Sequence, residues 1–205
     1  MARIGTARAG DLVLAGAMVF LLSAIALHLI RGDLDWMDAQ MSHYLVGRGG
    51  VLLQAGYCAM GVALVVLALG LRRSLVPKAR SGAPVLLFAL GGAGLCITAF
   101  APMDPEGGAP TFAGWVHGLS AYTAFVCVIT AMVVQSWNLR GDPQWRRRST
   151  AALVLAAATS IGPGLLAANP DLPRGLTQKA VILVIAIWVL LMVYWLRRTD
   201  GPMRS

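Results

Sequence analysis

Charge is scarce in this sequence. Only 13% of its 205 residues are Asp, Glu, Lys or Arg, against 58% hydrophobic, too little polar surface to cover a water-soluble domain. Acidic residues are the scarcer kind, 9 against 17 basic ones, which leaves a net charge of +8. That excess does not make a nucleic-acid-binding protein, because the cations lie in short clusters between apolar runs, with no basic stripe and no interleaved stacking aromatics. Cysteine is limited to Cys58, Cys96 and Cys127, each inside an apolar run, where a thiol behaves as a small core residue. An odd, buried set excludes a disulfide framework. The sequence has no clear internal repeat, which weighs against a transporter built from repeated halves. A cleavable leader is not expected either. The apolar run from Asp11 to Ile30 is longer than a signal peptide's hydrophobic region and lacks a small-x-small site after it, although Arg3 and Arg8 precede it.

What the chain does have is apolar length. Six runs, near 11–30, 51–70, 84–102, 114–136, 150–168 and 178–196, are each long enough to cross a hydrocarbon core about 30 Å thick. The expected fold class is therefore all-α: a single domain over 1–205 with six transmembrane helices. The fifth run is interrupted by Gly162-Pro163-Gly164, where the proline removes a backbone hydrogen bond and predicts either a kink or a break lining a cavity. Distributing Lys and Arg over alternate sides places 13 at the N-terminus, in 71–83, in 137–149 and in the tail, and leaves Arg31, Arg48, Arg174 and Lys179 on the other side. The acidic residues lean oppositely, with Asp33, Asp35, Asp38, Asp104, Glu106 and Asp171 against Asp11, Asp142 and Asp200. Both termini are expected in the cytoplasm. Gly91-Gly92-Ala93-Gly94 and Ala156-Ala157-Ala158 predict closely approaching helices. Lipid-facing and partner-facing surfaces look alike in such a chain, so a homodimer stays open.

Polar residues inside lipid are costly and mark function more often than they do in water. Here they gather in one layer. His28 near the end of the first span, Gln54 in the second, His117 in the fourth and Gln178 at the start of the sixth fall at similar depth on the outer side, at 1.5 Å per residue. The loops beside that layer carry Ser42-His43-Tyr44, Asp104, Arg174 and Lys179. Leu34, Trp36, Met37, Met41 and Leu45 recur at roughly helical spacing, as in an interfacial helix able to act as a lid. The chemistry expected first is proton handling by Asp104 and His117. Ser42, His43, Tyr44, Gln54 and Gln178 would line the ligand, and Arg174 and Lys179 would grip an anionic headgroup. Two other chemistries stay open: zinc held by His28, His43, His117 and Asp104, or a haem iron held by His28 and His117 from its two faces. A fourth reading makes the layer a purely structural one in a non-enzymatic partner or small carrier.

Ser42-His43-Tyr44 before a glycine-rich helix start, Phe100-Ala101-Pro102-Met103-Asp104-Pro105, His117-Gly118 and Gly175-Leu176-Thr177-Gln178-Lys179 before a span containing Trp188 together resemble a bacterial and archaeal membrane family known as domain of unknown function 998. The resemblance implies a six-helix protein of a prokaryotic plasma membrane and no particular reaction. A looser similarity links the chain to six-span lipid-remodelling proteins of the Frag1/DRAM/Sfk1 type. Zinc-dependent membrane hydrolases related to alkaline ceramidase carry paired histidines on a late helix, and this chain has none there. The expectation that follows is an outward-opening polar cavity binding, and as one option modifying, a lipid or amphiphile. A haem-bearing redox protein and a non-enzymatic membrane partner are the alternatives.

Overall fold

The computed structural model describes residues 2–105, 107–169 and 171–199; Glu106 and Asp200, counted above among the charges, lie outside them. The described residues are helical and contain no strand. In chain order the helices are α1 (Ala2–Ile30), α2 (Gly50–Ser74), α3 (Ala83–Phe100), α4 (Phe112–Asn138), α5 (Arg146–Ala158), α6 (Ile161–Ala168) and α7 (Arg174–Thr199). Among the described residues six stretches are long and apolar enough to cross a membrane: Gly5–Ile30, Gly50–Ser74, Ala83–Phe100, Phe112–Gly141, Arg146–Leu166 and Arg174–Arg198. They coincide with the six expected runs. Most ends extend further because a helix carries on into the interfacial Arg and Trp residues that hydropathy discounts.

Packing follows the small residues. At the α1–α2 seam a Cβ on Gly16 would stand 2.7 Å from the Ala59 carbonyl oxygen. A Cβ on Gly94 of α3 would meet the Ser120 carbonyl of α4 at 2.8 Å. In lipid, where apolar surface gains nothing by leaving the solvent, such close backbone approach supplies the dispersion energy that holds helices together. Outward, Leu22, Leu29, Val62, Leu86, Phe112 and Leu183 stay exposed on the bundle surface, as a hydrocarbon solvent requires. Inside, the fully buried indole of Trp188 donates to Ser136 Oγ (3.2 Å) and to the Ala152 carbonyl (3.1 Å), joining α7 to α4 and α5.

Two local expectations change. The fifth span breaks at Thr159-Ser160, before Gly162-Pro163-Gly164, because Pro163 has no N–H to offer the carbonyl four residues back and its ring crowds that carbonyl. Thr159 stays fully buried, with its hydroxyl donating to the Ala156 carbonyl at 2.6 Å, and Gly162 packs directly against Val181 of α7. The segment between α1 and α2 does not form an interfacial α-helix. It is a strap of turns ending in a short 3-10 helix, Met41–Leu45, that buries Met41, Ser42, Tyr44 and Leu45 and leaves Trp36 outside.

Candidate functional site

The strap lies across the end of the bundle away from the chain termini, and the first turns of α7 hold it there. Leu176 N–H donates to the Met37 carbonyl (2.7 Å), and Lys179 Nζ donates to the Trp36 and Ala39 carbonyls (2.6 Å each). Gln178 Oε1 accepts from Met41 N–H at 2.8 Å. Gly175 permits this approach: a Cβ there would lie 2.5 Å from the Ala39 carbonyl oxygen, too close for any side chain. At its α1 end the strap is tied by Arg31, which pairs with Asp33 at 2.8 Å and also donates to the Val46 carbonyl. That hydrogen-bonded pairing holds the Asp33 carboxyl below and the Arg31 guanidinium above their ordinary values.

The anchoring sets Ser42 into the bundle. Its Oγ stands 2.9 Å from Nε2 of His117, one residue after the Met41–Gln178 bond. The other ring nitrogen of His117, Nδ1, lies 2.7 Å from the carbonyl of Ala101, at the C-terminal cap of α3. A carbonyl can only accept, so Nδ1 carries the proton and Nε2 presents its lone pair to the Ser42 hydroxyl. Both residues are buried. One turn further into the bundle the Thr98 and Ser120 hydroxyls lie 2.8 Å apart, joining α3 to α4, and Ser120 Oγ reaches the His117 carbonyl at 3.0 Å.

Ser42 borders two cavities. The wider, about 400 Å³, lies between the strap and the α3–α4 side and is lined by Ser42, Gln54, Pro102, Met103 and His117 among others. The narrower, about 70 Å³, is lined by Ser42, Gln178 and Thr98 and by mostly apolar side chains of α1, α2, α3, α4 and α7. The layer expected from the sequence thus divides. Ser42, Gln54 and His117 share the wider cavity, and Gln178 joins Ser42 in the narrower one. No residue from 159 to 164 borders either, so the helix break is not part of this site.

The remaining expected residues have other partners. Tyr44 is buried and stacks on His28 with ring centroids 4.5 Å apart, and Lys179 Nζ lies 5.4 Å from the same tyrosine ring. Burial pushes the Tyr44 hydroxyl above its usual range. His28 Nδ1 meets the Ala24 carbonyl at 2.7 Å, and His43 Nδ1 lies 3.3 Å from the Gln40 carbonyl. Arg174 is exposed at the start of α7. With its ammonium already donating to two strap carbonyls, Lys179 acts as a clamp on the strap.

Asp104 does not hydrogen-bond His117. Its carboxylate accepts from the Thr111 hydroxyl (2.6 Å) and the Thr111 N–H (3.1 Å), while Thr111 Oγ1 caps α4 by accepting from Gly114 N–H at 3.1 Å. Gly114 leaves room for the carboxylate over this helix start, which a Cβ would fill. A negative charge here is favoured by the helix dipole, and the Thr111 hydrogen bonds hold the Asp104 carboxyl below its ordinary value. A lowered carboxylate value stabilises the fold above the unfolded-state pKa and loses that contribution as pH falls through the folded-state value. Asp104→Asn should therefore lower the unfolding temperature of purified protein at neutral pH, and the gap from wild type should close in acid. An equal gap at both pH values would show that charge plays no part in the cap.

Nor do the residues proposed for zinc converge. Among the described residues no three His, Cys, Asp or Glu side chains come near enough to hold a metal ion. The haem pairing of His28 with His117 fits poorly, since both ring nitrogens of His117 are committed and an iron would have to displace Ser42 or Ala101.

The sequence model of the family described as protein of unknown function, DUF998, matches residues 14–195. The chain is a DUF998 protein. The match reaches from α1 to the last turns of α7 and so includes the strap, Ser42, Ala101, His117 and the Gly175–Lys179 clamp. No curated protein and no solved structure matches this DUF998 chain.

Proposed function

We propose that this membrane protein is an acyl-ester hydrolase in which Ser42 is the nucleophile and His117 the base, acting on a lipid or other amphiphile that enters beside the strap. The observation that carries the reading is the Ser42 Oγ to His117 Nε2 distance of 2.9 Å, with Nδ1 held at 2.7 Å by a carbonyl. This is the relation of nucleophile, base and orienting group that acyl transfer requires. The Ala101 carbonyl fixes the tautomer and ring angle and favours the positive charge that develops when the imidazole is protonated.

In the reaction, Ser42 Oγ bonds to the ester carbonyl carbon as its proton passes to His117 Nε2. Collapse of the tetrahedral intermediate breaks the bond to the alcohol, which leaves with that proton. Water then attacks the acyl-serine, gives its proton to Nε2, and releases the acid as the proton returns to Ser42. Gln54, which lines the same wider cavity, would donate to the developing oxyanion. Lys and Arg crowd the terminal side, 13 of 17, which supports an orientation with both termini in the cytoplasm and the site open to the outer leaflet of a prokaryotic plasma membrane.

The test is covalent labelling of detergent-purified protein with an alkyl fluorophosphonate followed by peptide mapping. Label on Ser42 is expected. Absence of label, with Ser42 unmodified, would overturn the hydrolase reading. It would favour a second one, in which Ser42–His117 only fastens the strap to α4, a role consistent with the full hydrogen-bonding of the imidazole.

A further inference from the structure

We infer that the narrow cavity leading from Ser42 into the bundle is the subsite for the acyl chain of the substrate, and that its floor sets the chain length accepted. This rests on the hydrolase reading for the identity of the bond cleaved, though not for the binding of the chain. By helix register, Ser42 and Gln178 belong to its end nearer the strap, and Leu64, Val128 and Ala186 to its deeper end. Between Gln178 and Ala186, α7 advances about 12 Å at about 1.5 Å per residue. The space is thin, about 70 Å³, well below the roughly 300 Å³ at which pockets begin to hold compact ligands. A headgroup cannot enter it, whereas an alkyl chain is thin along its whole length.

The lining supports the same occupant. Met60, Leu95, Phe125 and Ile182 present apolar surface, and of the polar residues in the lining Ser42, Thr98 and Gln178 belong to the strap end by helix register, with Tyr57 about midway. The 400 Å³ cavity on the other side of Ser42 carries Gln54 and His117 and has the room and polarity for the alcohol half of the ester. An ester bound across Ser42 therefore puts its acyl carbonyl at Oγ, its chain in the slot and its leaving group in the wider cavity. With bonds of about 1.5 Å, an extended chain advances about 1.3 Å per carbon, so about 12 Å accommodates roughly nine carbons.

The test has two arms on full-length protein in detergent. In the first, p-nitrophenyl esters from acetate to palmitate are hydrolysed by wild type, Ala186→Leu and Leu64→Ala. Wild type should turn over octanoate and decanoate best. Ala186→Leu, which raises the floor, should move the optimum at least two carbons shorter, and Leu64→Ala, which lowers it, at least two carbons longer. The opposed shifts separate this effect from a general loss of folding. Ser42-dependent hydrolysis with no chain-length optimum, or with one that neither variant moves, would overturn the slot and leave the hydrolase standing. In the second arm, a decanoate ester carrying a terminal diazirine is photolysed on Ser42→Ala, which needs no turnover. Crosslinks to α2, α4 or α7 near Leu64, Val128 and Ala186, competed by decanoate ester and not by butyrate ester, are expected. Crosslinks confined to the outer surface would overturn the slot whatever becomes of Ser42.

Discussion

Ser42→Ala is expected to abolish fluorophosphonate labelling and to lower ester turnover by about 10⁶-fold, the scale on which removing the nucleophile of a nucleophile–base–orienter set acts. The fold should survive. Ser42 is one of several contacts that fix the strap, beside the Leu176–Met37 and Met41–Gln178 bonds and the Lys179 clamp. Losing its hydroxyl leaves His117 Nε2 without a donor in a buried place, which costs about 1–3 kcal/mol. His117→Gln should cut turnover similarly, because an amide cannot take the Ser42 proton, and should keep some of the bridge to Ala101. The pair of variants separates chemistry from scaffolding. If both unfold at lower temperature by about the same amount and wild type itself takes no label at Ser42, the bridge is a fastener. If Ser42 takes the label in wild type and loses it in a His117→Gln protein that is still folded, Ser42 is a nucleophile served by His117. Gln54→Ala provides an intermediate case: loss of one oxyanion donor typically costs about 10²-fold to 10³-fold in rate, with labelling slowed and not lost.

Much of this arrangement was legible in the sequence, and the parts that were not share a cause. Hydropathy and the side preference of Lys and Arg are summed over many residues, so the six spans and the polar layer beside the strap emerge without knowledge of packing. His117, Gln54 and Gln178 were recognisable as polar groups at that depth, and Ser42 as a polar group in the loop beside them. Their pairing was not, because Ser42 and His117 are 75 residues apart and meet only when α7 has pinned the strap. The sequence suggested Asp104 for His117 because both fall at the outer polar layer. In the fold, the hydroxyl and N–H of Thr111 lie closer to that carboxylate and the start of α4 attracts it, so Asp104 becomes part of a cap. Lys179 and Gln178 were expected to hold a ligand for a similar reason. The strap's carbonyls and N–H groups need partners where it packs on α7, partly out of reach of water, and these two side chains supply them. Thr98 and Ser120 went unnoticed since small hydroxyls can bond their own helix carbonyls, and nothing in the chain says they face each other.

Gly92→Val is expected to be the most damaging single substitution in the bundle. Where α2 crosses α3, a Cβ on Gly92 would lie 2.6 Å from the Gly61 carbonyl oxygen and 3.1 Å from Gly61 Cα, and a Cβ on Gly61 would lie 2.7 Å from the Gly92 carbonyl oxygen. The obstacle is backbone on both sides, so no side chain can swing away and the helices must separate. Overpacking a close seam costs about 1–3 kcal/mol even where neighbours can shift, and lipid offers no hydrophobic return for the surface uncovered. A large fall in thermal unfolding temperature in detergent is the expected result, with Gly92→Ala in between. Gly118→Val supplies the control: Gly118 is exposed on α4 with nothing within 4 Å of its would-be Cβ, so its effect should stay within about 0.5 kcal/mol. The same seam reaches the site, because α3 ends at the Ala101 carbonyl that orients His117. Displacing α3 should pull that acceptor from Nδ1 and slow labelling of Ser42 even at temperatures where the Gly92→Val protein is still folded. Wild-type stability in Gly92→Val would refute the crossing, and wild-type labelling in a destabilised Gly92→Val would refute its coupling to the dyad.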